Sequence, residues 1–200
     1  NTPTIISGEI GATDTDEDNL YHVFHNVAPT VIILDGLVIE KGCASNPEVD
    51  FGWDNVGAAI FNEGKAISIR RCLIRNNKGK DCGGAVFSLD GGNLDIIETD
   101  FYENNSAYQG GAVYSDGEVS IRNSTFERNS SSDDGGAIQS SDGKLNLNRC
   151  SFHGNESSDD GGAIGIRSSS FAIRNSIFVG NHSARHGGAV FSLLNSSGIF

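Results

Sequence analysis

The sequence of 200 residues contains no methionine, only 3 prolines and few basic side chains. Its 14 Lys and Arg are outnumbered by 26 Asp and Glu, which gives a formal net charge of −12. Because this charge repels a phosphate backbone, the composition argues against a nucleic-acid partner. The 26 glycines, together with the lack of methionine, argue against a helical bundle and favour short strands separated by tight turns.

Long apolar runs are also missing from the sequence. The longest stretch, residues 31–39, is interrupted by Asp35 and Gly36, whereas a helix that crosses a bilayer needs roughly 20 apolar residues. We therefore predict that this segment does not insert directly into a membrane. The first residues form no charged and apolar leader, which fits a mature or excised chain and is compatible with secretion.

A short glycine-rich motif recurs at a nearly constant interval. Gly-Gly-Ala followed by Val or Ile occurs in five copies, and a weaker Gly-Ala-Ala-Ile copy precedes them, with starts at Gly57, Gly83, Gly110, Gly135, Gly161 and Gly187. Successive copies therefore begin 26, 27, 25, 26 and 26 residues apart. Such a period indicates stacked structural units, each of which buries its apolar face only against its neighbours.

A second motif keeps the same interval. Phe is followed three places later by Asn in four units, and Ile74 takes the place of Phe in the weaker first unit; the asparagines are Asn77, Asn104, Asn129, Asn155 and Asn181. Upstream of each motif, apolar residues alternate with polar ones, as at Leu94 and Ile96. This period of two is that of a β-strand, and no segment shows the period of an amphipathic helix.

These periods predict an all-β fold, a single-stranded right-handed parallel β-helix of about seven coils of about 26 residues. Equivalent residues of successive coils then stack about 4.8 Å apart. We therefore expect the Phe positions to form an internal aromatic stack and the Asn positions to form a hydrogen-bonded ladder. At each Gly-Gly pair, the turn must reach positive φ or let two backbones approach closely.

We predict one domain over residues 1–200. Residues 1–43 form a divergent first coil with an acidic loop at residues 14–18, residues 44–56 form an inserted loop, and residues 57–200 form the regular coils. Because the sequence stops in mid coil without a polar capping segment, we expect it to be a fragment of a longer protein.

The paired motifs Gly-Gly-Ala-(Ile/Val) and Phe-x-x-Asn resemble the repeats of chlamydial polymorphic outer membrane proteins and of related β-helical surface proteins. The resemblance covers residues 57–200. It implies display at a cell surface and an adhesive or structural role, often as the passenger of an autotransporter.

The loop before each Gly-Gly pair carries the strongest candidate for chemistry. Asp133 and Asp134 in one coil are followed one coil later by Asp159 and Asp160. Four stacked carboxylates repel one another, and a cation that prefers oxygen ligands, such as Ca²⁺, would relieve the repulsion. The alternative is that these acidic residues only keep the surface soluble. The sequence leaves both interpretations open. It indicates no required cofactor, and Ca²⁺ is the candidate ion.

A catalytic interpretation uses the same loops. Asp134, Asp160 and His186 share one position of the repeat, and Arg185 lies beside them. Pairs of carboxylates serve as acid and base or nucleophile in enzymes that act on polysaccharides. If the protein is an enzyme, these four residues are the candidates for catalysis. The coil repeats, however, show no basic cluster that would stabilise an enolate.

Four cysteines divide into two pairs of different character. Cys72 and Cys150 occupy the small-residue position of the repeat and are expected to be inert core thiols, because two coils separate them. Cys43 and Cys82 close neighbouring coils near the glycine turn, so a disulfide between them is predicted, which would suit an oxidising compartment.

Six asparagines begin Asn-x-Ser/Thr sequons and are candidate glycan acceptors. Four of them, Asn104, Asn129, Asn155 and Asn181, belong to the predicted ladder. Asn123 and Asn195 are therefore the better glycosylation sites.

Taken together, the residues and the family resemblance predict a non-catalytic extracellular or cell-surface scaffold with an adhesive or structural role. Its expected partners are copies of itself, stacked end to end into filaments, neighbouring surface proteins, or a carbohydrate or host-surface ligand. Aromatic residues for ligand binding are few, and we expect them to be Phe51, Trp53 and Tyr108. The alternative function is that of a polysaccharide-active lyase or glycoside hydrolase.

Overall fold

A computed structural model describes residues 3–9, 21–46, 48, 52–89 and 92–200. Regular structure in these residues is β-strand except for one 3-10 helix, Trp53–Asn55, between the fifth and sixth strands. In chain order the strands are β1 (Thr4–Ser7), β2 (Phe24–Asn26), β3 (Val31–Asp35), β4 (Leu37–Glu40), β5 (Cys43–Ala44), β6 (Ile60–Asn62), β7 (Ala66–Arg70), β8 (Leu73–Arg75), β9 (Lys78–Gly79), β10 (Val86–Ser88), β11 (Asn93–Ile97), β12 (Asp100–Tyr102), β13 (Asn105–Ser106), β14 (Val113–Ser115), β15 (Glu118–Arg122), β16 (Thr125–Glu127), β17 (Ser130–Ser131), β18 (Ile138–Ser141), β19 (Lys144–Asn148), β20 (Ser151–His153), β21 (Glu156–Ser157), β22 (Ile164–Arg167), β23 (Ser170–Arg174), β24 (Ile177–Val179), β25 (His182–Ser183), β26 (Val190–Leu193) and β27 (Ser197–Ile199).

The strands form four sheets that run along the length of a solenoid. Sheet A has the order β1-β4-β8-β12-β16-β20-β24, sheet B β2-β6-β10-β14-β18-β22-β26, sheet C β3-β7-β11-β15-β19-β23-β27, and sheet D β5-β9-β13-β17-β21-β25. Strand pairings in the described residues are all parallel. A regular coil passes through sheets C, A, D and B in turn, so the predicted parallel β-solenoid is confirmed.

The number of regular coils is smaller than predicted. Sheet C strands from β7 onwards begin at Ala66, Asn93, Glu118, Lys144, Ser170 and Ser197, which gives five turns of 27, 25, 26, 26 and 27 residues. Before them, Val31 pairs with Ala66, 35 residues further along the chain. That turn is longer because it contains the inserted loop. The described residues contain five regular turns, so the predicted count of seven coils is not supported. The acidic loop at residues 14–18 and Phe51 lie outside the described residues.

The core lies inside the solenoid and consists of stacked equivalent residues. Strand alternation turns Leu94 and Ile96 inward, where they are almost completely buried. The predicted phenylalanine stack is present, with ring centroids 4.7, 4.9 and 4.8 Å apart from Phe101 to Phe126, Phe152 and Phe178. These distances match the spacing of adjacent strands, so each coil packs directly on the next.

The asparagine ladder is also confirmed. In each coil the Asn side chain donates from Nδ2 to Oδ1 of the equivalent Asn in the next coil at 2.9–3.0 Å, from Asn77 through Asn104, Asn129 and Asn155 to Asn181. The accepting Oδ1 also receives the backbone N–H of the preceding Asn at 3.0–3.1 Å. The buried turn therefore satisfies its polar groups without water.

The two glycines of each turn serve different purposes. Gly135 has φ 66°, a backbone conformation that residues other than glycine rarely adopt. Gly136 faces the next coil so closely that a Cβ would collide with the carbonyl oxygen of Gly162. Both reasons predicted from the sequence therefore apply, one to each glycine. The turn delivers the chain into sheet B and fixes the position of the loop that precedes it.

Among the residues that the structure describes, no helix has the length and apolar character required to pass through a membrane.

Candidate functional site

The predicted candidate residues lie in the loops that connect sheet D to sheet B. The backbone N–H of Asp159 donates to the carbonyl oxygen of Asp133 at 3.3 Å, and that of Arg185 donates to the carbonyl oxygen of Asp159 at 3.0 Å. Loops of successive coils are therefore stacked, as the repeat predicted. They bring together Asp133 and Asp134 after β17, Asp159 and Asp160 after β21, and Arg185 and His186 after β25.

A groove of about 390 Å³ lies between these loops and the outer face of sheet B. We call it the acidic groove. Its lining consists of three carboxylates, three basic side chains and two apolar residues, namely Asp134, Asp159, Asp160, Arg167, Arg185, His186, Phe191 and Leu193.

Two arginines neutralise carboxylates of the acidic groove. Arg185 Nη1 contacts both carboxylate oxygens of Asp159, at 2.7 and 2.9 Å. Arg167 Nη2 contacts Asp134 Oδ2 at 3.1 Å, and this carboxylate is more than nine-tenths buried. Because the Asp134 pair is partly shielded from water, it is held more firmly than the exposed Arg185 pair.

Two carboxylates of the groove also join adjacent coils through the backbone. Asp134 Oδ1 accepts the backbone N–H of Asp160 at 3.2 Å, and Asp160 Oδ1 accepts that of His186 at 2.9 Å. The same Asp160 oxygen lies 2.8 Å from Nδ1 of the His186 ring. Asp134 and Asp160 thus form a second polar ladder, parallel to the asparagine ladder.

The pKa of the Asp134 carboxyl group is shifted by its surroundings. Loss of solvent raises the pKa of this carboxyl group above its ordinary value, and the nearby Asp133 raises it further. The hydrogen bond from the Asp160 backbone and the charge of Arg167 act in the opposite direction. An upward shift of the pKa is the direction that a general acid needs.

Three carboxylates approach one another closely enough to share a cation. One oxygen from each of Asp133, Asp134 and Asp159 lies within 4.8 Å of the others. Asp160 is directed instead toward His186, and Asp133 accepts a hydrogen bond from Gln109 Nε2 at 2.9 Å. The repulsion that calcium was expected to relieve is thus already reduced by arginines and hydrogen-bond donors of the chain.

The structure adds one basic residue to the predicted site, and both arginines of the site are held by carboxylates. Arg167 joins Arg185 and His186 in the acidic groove. Sequence reasoning missed Arg167 because it lies outside the loops, at the end of β22. The signal was present, since the inward residues Ile164 and Ile166 place the alternate residue Arg167 on the outer face of sheet B.

A second depression, the aromatic pocket, lies on the same face of sheet B. Its volume is about 450 Å³, and it is lined by Gly52, Trp53, Val56, Asp81, Cys82, Phe87 and Tyr114. Phe87 and Tyr114 occupy equivalent positions of adjacent coils, and their rings stack with centroids 5.1 Å apart. Trp53, from the inserted loop, lies 6.2 Å from Phe87 at an interplanar angle of 57°.

Of the aromatic residues predicted for ligand binding, Trp53 lines this pocket and Tyr108 does not. Phe87 and Tyr114 were missed. The sequence signal was the residue that follows each Gly-Gly-Ala-Val copy, which is aromatic in both of these coils.

In the structure no disulfide joins Cys43 and Cys82. Cys43 pairs with Lys78 in the neighbouring coil, four residues before Cys82. The two cysteines therefore lie in neighbouring coils but at different positions of the repeat. The inserted loop had obscured this offset in the sequence.

Of the four ladder sequons, three are buried and the fourth, Asn181, is half-buried. Asn104, Asn129 and Asn155 are completely buried in the ladder. Asn123 and Asn195 are exposed and remain the predicted glycan acceptors.

Comparison with protein families gives one match. The family model described as the right-handed beta helix region matches residues 53–199, which is 147 of the 200 residues. No curated protein and no solved structure matches the chain.

Proposed function

This chain belongs to the right-handed beta helix family, and from that premise we propose that it is a non-catalytic extracellular or cell-surface scaffold with an adhesive or structural role. The observation that carries the proposal is the use of Asp134 and Asp160 as links between coils. Each accepts a backbone N–H from the next coil through its Oδ1. The polar residues that could have served catalysis therefore have a structural purpose.

The charges of the acidic groove support the same conclusion. Asp159 is held by Arg185, and Asp134 is held by Arg167. Catalytic electrostatics require groups that face the reacting atoms, whereas these groups face one another. A stacked solenoid whose groove charges are paired with one another suits a scaffold.

Location at a cell surface or outside the cell is part of the proposal. It is supported by the resemblance of the paired repeat motifs to those of β-helical surface proteins and by the exposed sequons at Asn123 and Asn195. The formal charge of −12 disfavours anionic polymers as partners and leaves neutral or cationic ligands and neighbouring surface proteins.

The proposed scaffold would assemble by end-to-end association of copies of the chain. The strands of the last described coil, β24, β25, β26 and β27, each have one partner strand. Strands at the edge of a sheet can pair with a further strand, and a second copy of the chain that supplied such strands would continue the parallel sheets into a filament.

A polysaccharide-active enzyme is the second candidate. It is favoured by the raised pKa of Asp134 in a groove that also contains His186 and two arginines. A lyase requires a base and a cationic partner for the substrate carboxylate, and a hydrolase requires an acid with a second carboxylate.

One set of assays separates the two candidates. The wild-type protein and the Asp160→Asn variant are incubated with neutral and acidic polysaccharides, and reducing ends and unsaturated uronate products are measured. We expect no product from either protein, together with retention of the wild type on a polysaccharide or cell surface or its concentration-dependent assembly in sedimentation. Product that forms with the wild type and disappears with Asp160→Asn would establish the enzyme. If the wild type gave no product, was not retained on any surface and did not assemble, both candidates would be overturned.

A further inference from the structure

The aromatic pocket has features that the scaffold proposal does not use. Trp53 is the single tryptophan of the chain, and it is 56% exposed although it is the largest apolar side chain present. Its ring and that of Phe87 meet at 57° with centroids 6.2 Å apart. Both rings line the aromatic pocket, and so does Tyr114, which is stacked on Phe87; we call these three rings the corner.

The inserted loop holds the tryptophan in place. Trp53 also stacks on the buried Phe61, with centroids 5.7 Å apart and planes 18° from parallel. The Asp81 carboxylate accepts the backbone N–H of Gly52 at 3.2 Å, which ties the loop to the coil. The corner is thus preformed, and a ligand would not have to order it.

The surroundings of the pocket are negatively charged. Burial raises the pKa of Cys82 to about 12, and the charges of Asp81 and Asp133 contribute to the increase. Burial also raises the pKa of Tyr114, with further contributions from Asp116 and Asp142.

We propose that the corner between Trp53, Phe87 and Tyr114 binds a small quaternary ammonium group of the kind carried by choline. Aromatic faces attract such a cation through their quadrupoles when it lies within about 6 Å of the ring centroid. The carboxylate of Asp81 and the acidic surroundings add a longer-range attraction. A primary ammonium would need three hydrogen-bond acceptors, whereas Asp81 is the one carboxylate that lines the pocket among the described residues.

The volume of the pocket agrees with this ligand class. At about 450 Å³, it falls within the range of about 300–1,000 Å³ that is typical of small-molecule sites. The pocket does not share residues with the acidic groove, so this inference does not depend on the role proposed for Asp134 and Asp160.

Trp53 makes the experiment direct, because its emission is the tryptophan signal of the whole protein. Choline chloride is titrated into the folded protein at constant ionic strength, with sodium chloride as the blank. The neutral isostere 3,3-dimethylbutan-1-ol tests for the charge, and methyl glucoside tests for a neutral sugar. We expect saturable change with choline and at least tenfold weaker binding of the isostere.

Variants locate the site. Tyr114→Leu should weaken choline binding roughly fivefold to thirtyfold, the range expected for loss of one cation–π contact. Asp81→Asn keeps an acceptor oxygen for Gly52 and should weaken binding without changing the fold, as judged by circular dichroism. Tyr102→Leu, an aromatic of sheet A outside the pocket, is the matched control and should bind choline as the wild type does.

Three results would overturn the proposal. They are equal binding of choline and its neutral isostere, a saturable response to the sugar without one to choline, and no saturable response to choline. If Tyr114→Leu does not fold, Asp81→Asn and the isostere still decide. None of these results bears on the polysaccharide and sedimentation assays, so failure of the ligand is distinguishable from failure of the scaffold.

Discussion

Asp160 and His186 are joined twice by a single oxygen atom. Asp160 Oδ1 accepts the backbone N–H of His186 at 2.9 Å and lies 2.8 Å from its ring Nδ1. The backbone contact repeats the one between Asp134 and Asp160 one coil earlier, whereas the ring contact has no counterpart there. The repeated contact is therefore the structural one, and it can be tested apart from the histidine ring.

Replacement of Asp160 distinguishes a coil link from a catalytic group. Asp160→Ala removes the acceptor for the His186 backbone and should lower the free energy of unfolding by about 1–3 kcal/mol. Asp160→Asn keeps an acceptor oxygen, and its loss should be smaller than that of Asp160→Ala. Urea denaturation measures both values, with Asp100→Ala, an exposed carboxylate of sheet A, as the control. Equal losses from the Ala and Asn variants would contradict the link.

Asp134 should make stability depend on pH in a definite direction. Its pKa is raised in the folded protein, mainly by burial, so the folded state binds the proton more tightly than the unfolded state. Stability therefore falls as pH rises from the ordinary Asp pKa of about 3.9 through the folded pKa, and it is regained on acidification. Relative to Asp134→Asn, the wild type should gain free energy of unfolding as pH is lowered from 7 through this window. Denaturation at several pH values checks the sign, and a constant difference would refute the raised pKa.

The repeat made much of the interior predictable. The Phe101 and Asn104 positions recur at the coil period, and stacking at that period leaves one arrangement for them, which the structure has. The link between Asp134 and Asp160 was only half predictable. The repeat placed the two carboxylates one above the other, but it did not reveal that each would accept a hydrogen bond from the backbone of the next coil.

Features that depend on the outer face of the solenoid were not predictable from the period. Arg167 reaches Asp134 from a different sheet, and Trp53 reaches Phe61 across the inserted loop. Neither contact leaves a fixed spacing in the sequence. The offset between Cys43 and Cys82 was missed for the same reason, because the inserted loop interrupts the counting of positions.

The asparagine ladder should be the most sensitive polar element of the fold. Asn129→Ala removes the acceptor for the backbone N–H and Nδ2 of Asn104, both of which are buried. Two unsatisfied donors should cost about 2–6 kcal/mol of the free energy of unfolding. Asn93→Ala, on the exposed face of β11, is the matched control and should change stability by no more than about 0.5 kcal/mol. The ladder would lose its assigned importance if the two variants unfolded at the same urea concentration.

The cysteines can be counted to test the predicted disulfide directly. Burial, with Asp81 and Asp133, raises the pKa of Cys82 to about 12, and the thiolate is the form that reacts with iodoacetamide. At pH 8 the native protein should therefore resist alkylation at Cys82. In urea without reductant, all 4 cysteines should be alkylated. Mass spectrometry that found only two modified cysteines in urea, and four after reduction, would establish a disulfide that the structure lacks.

Replacement of Arg185 tests whether calcium binds in the acidic groove. In the wild type its guanidinium occupies both oxygens of Asp159, so Ca²⁺ should change the thermal unfolding temperature little. Arg185→Gln frees this carboxylate beside Asp133 and Asp134, and a site with a Kd of about 1 mM would then gain about 1.4 kcal/mol of stability at about 10 mM Ca²⁺.

The double variant Arg185→Gln/Asp159→Asn is the control for this experiment and should lose the response. A wild type that Ca²⁺ stabilises strongly and a chelator destabilises would reverse the argument. The cation would then displace Arg185 from Asp159, and the calcium site predicted from the stacked carboxylates would be the correct interpretation of the loops.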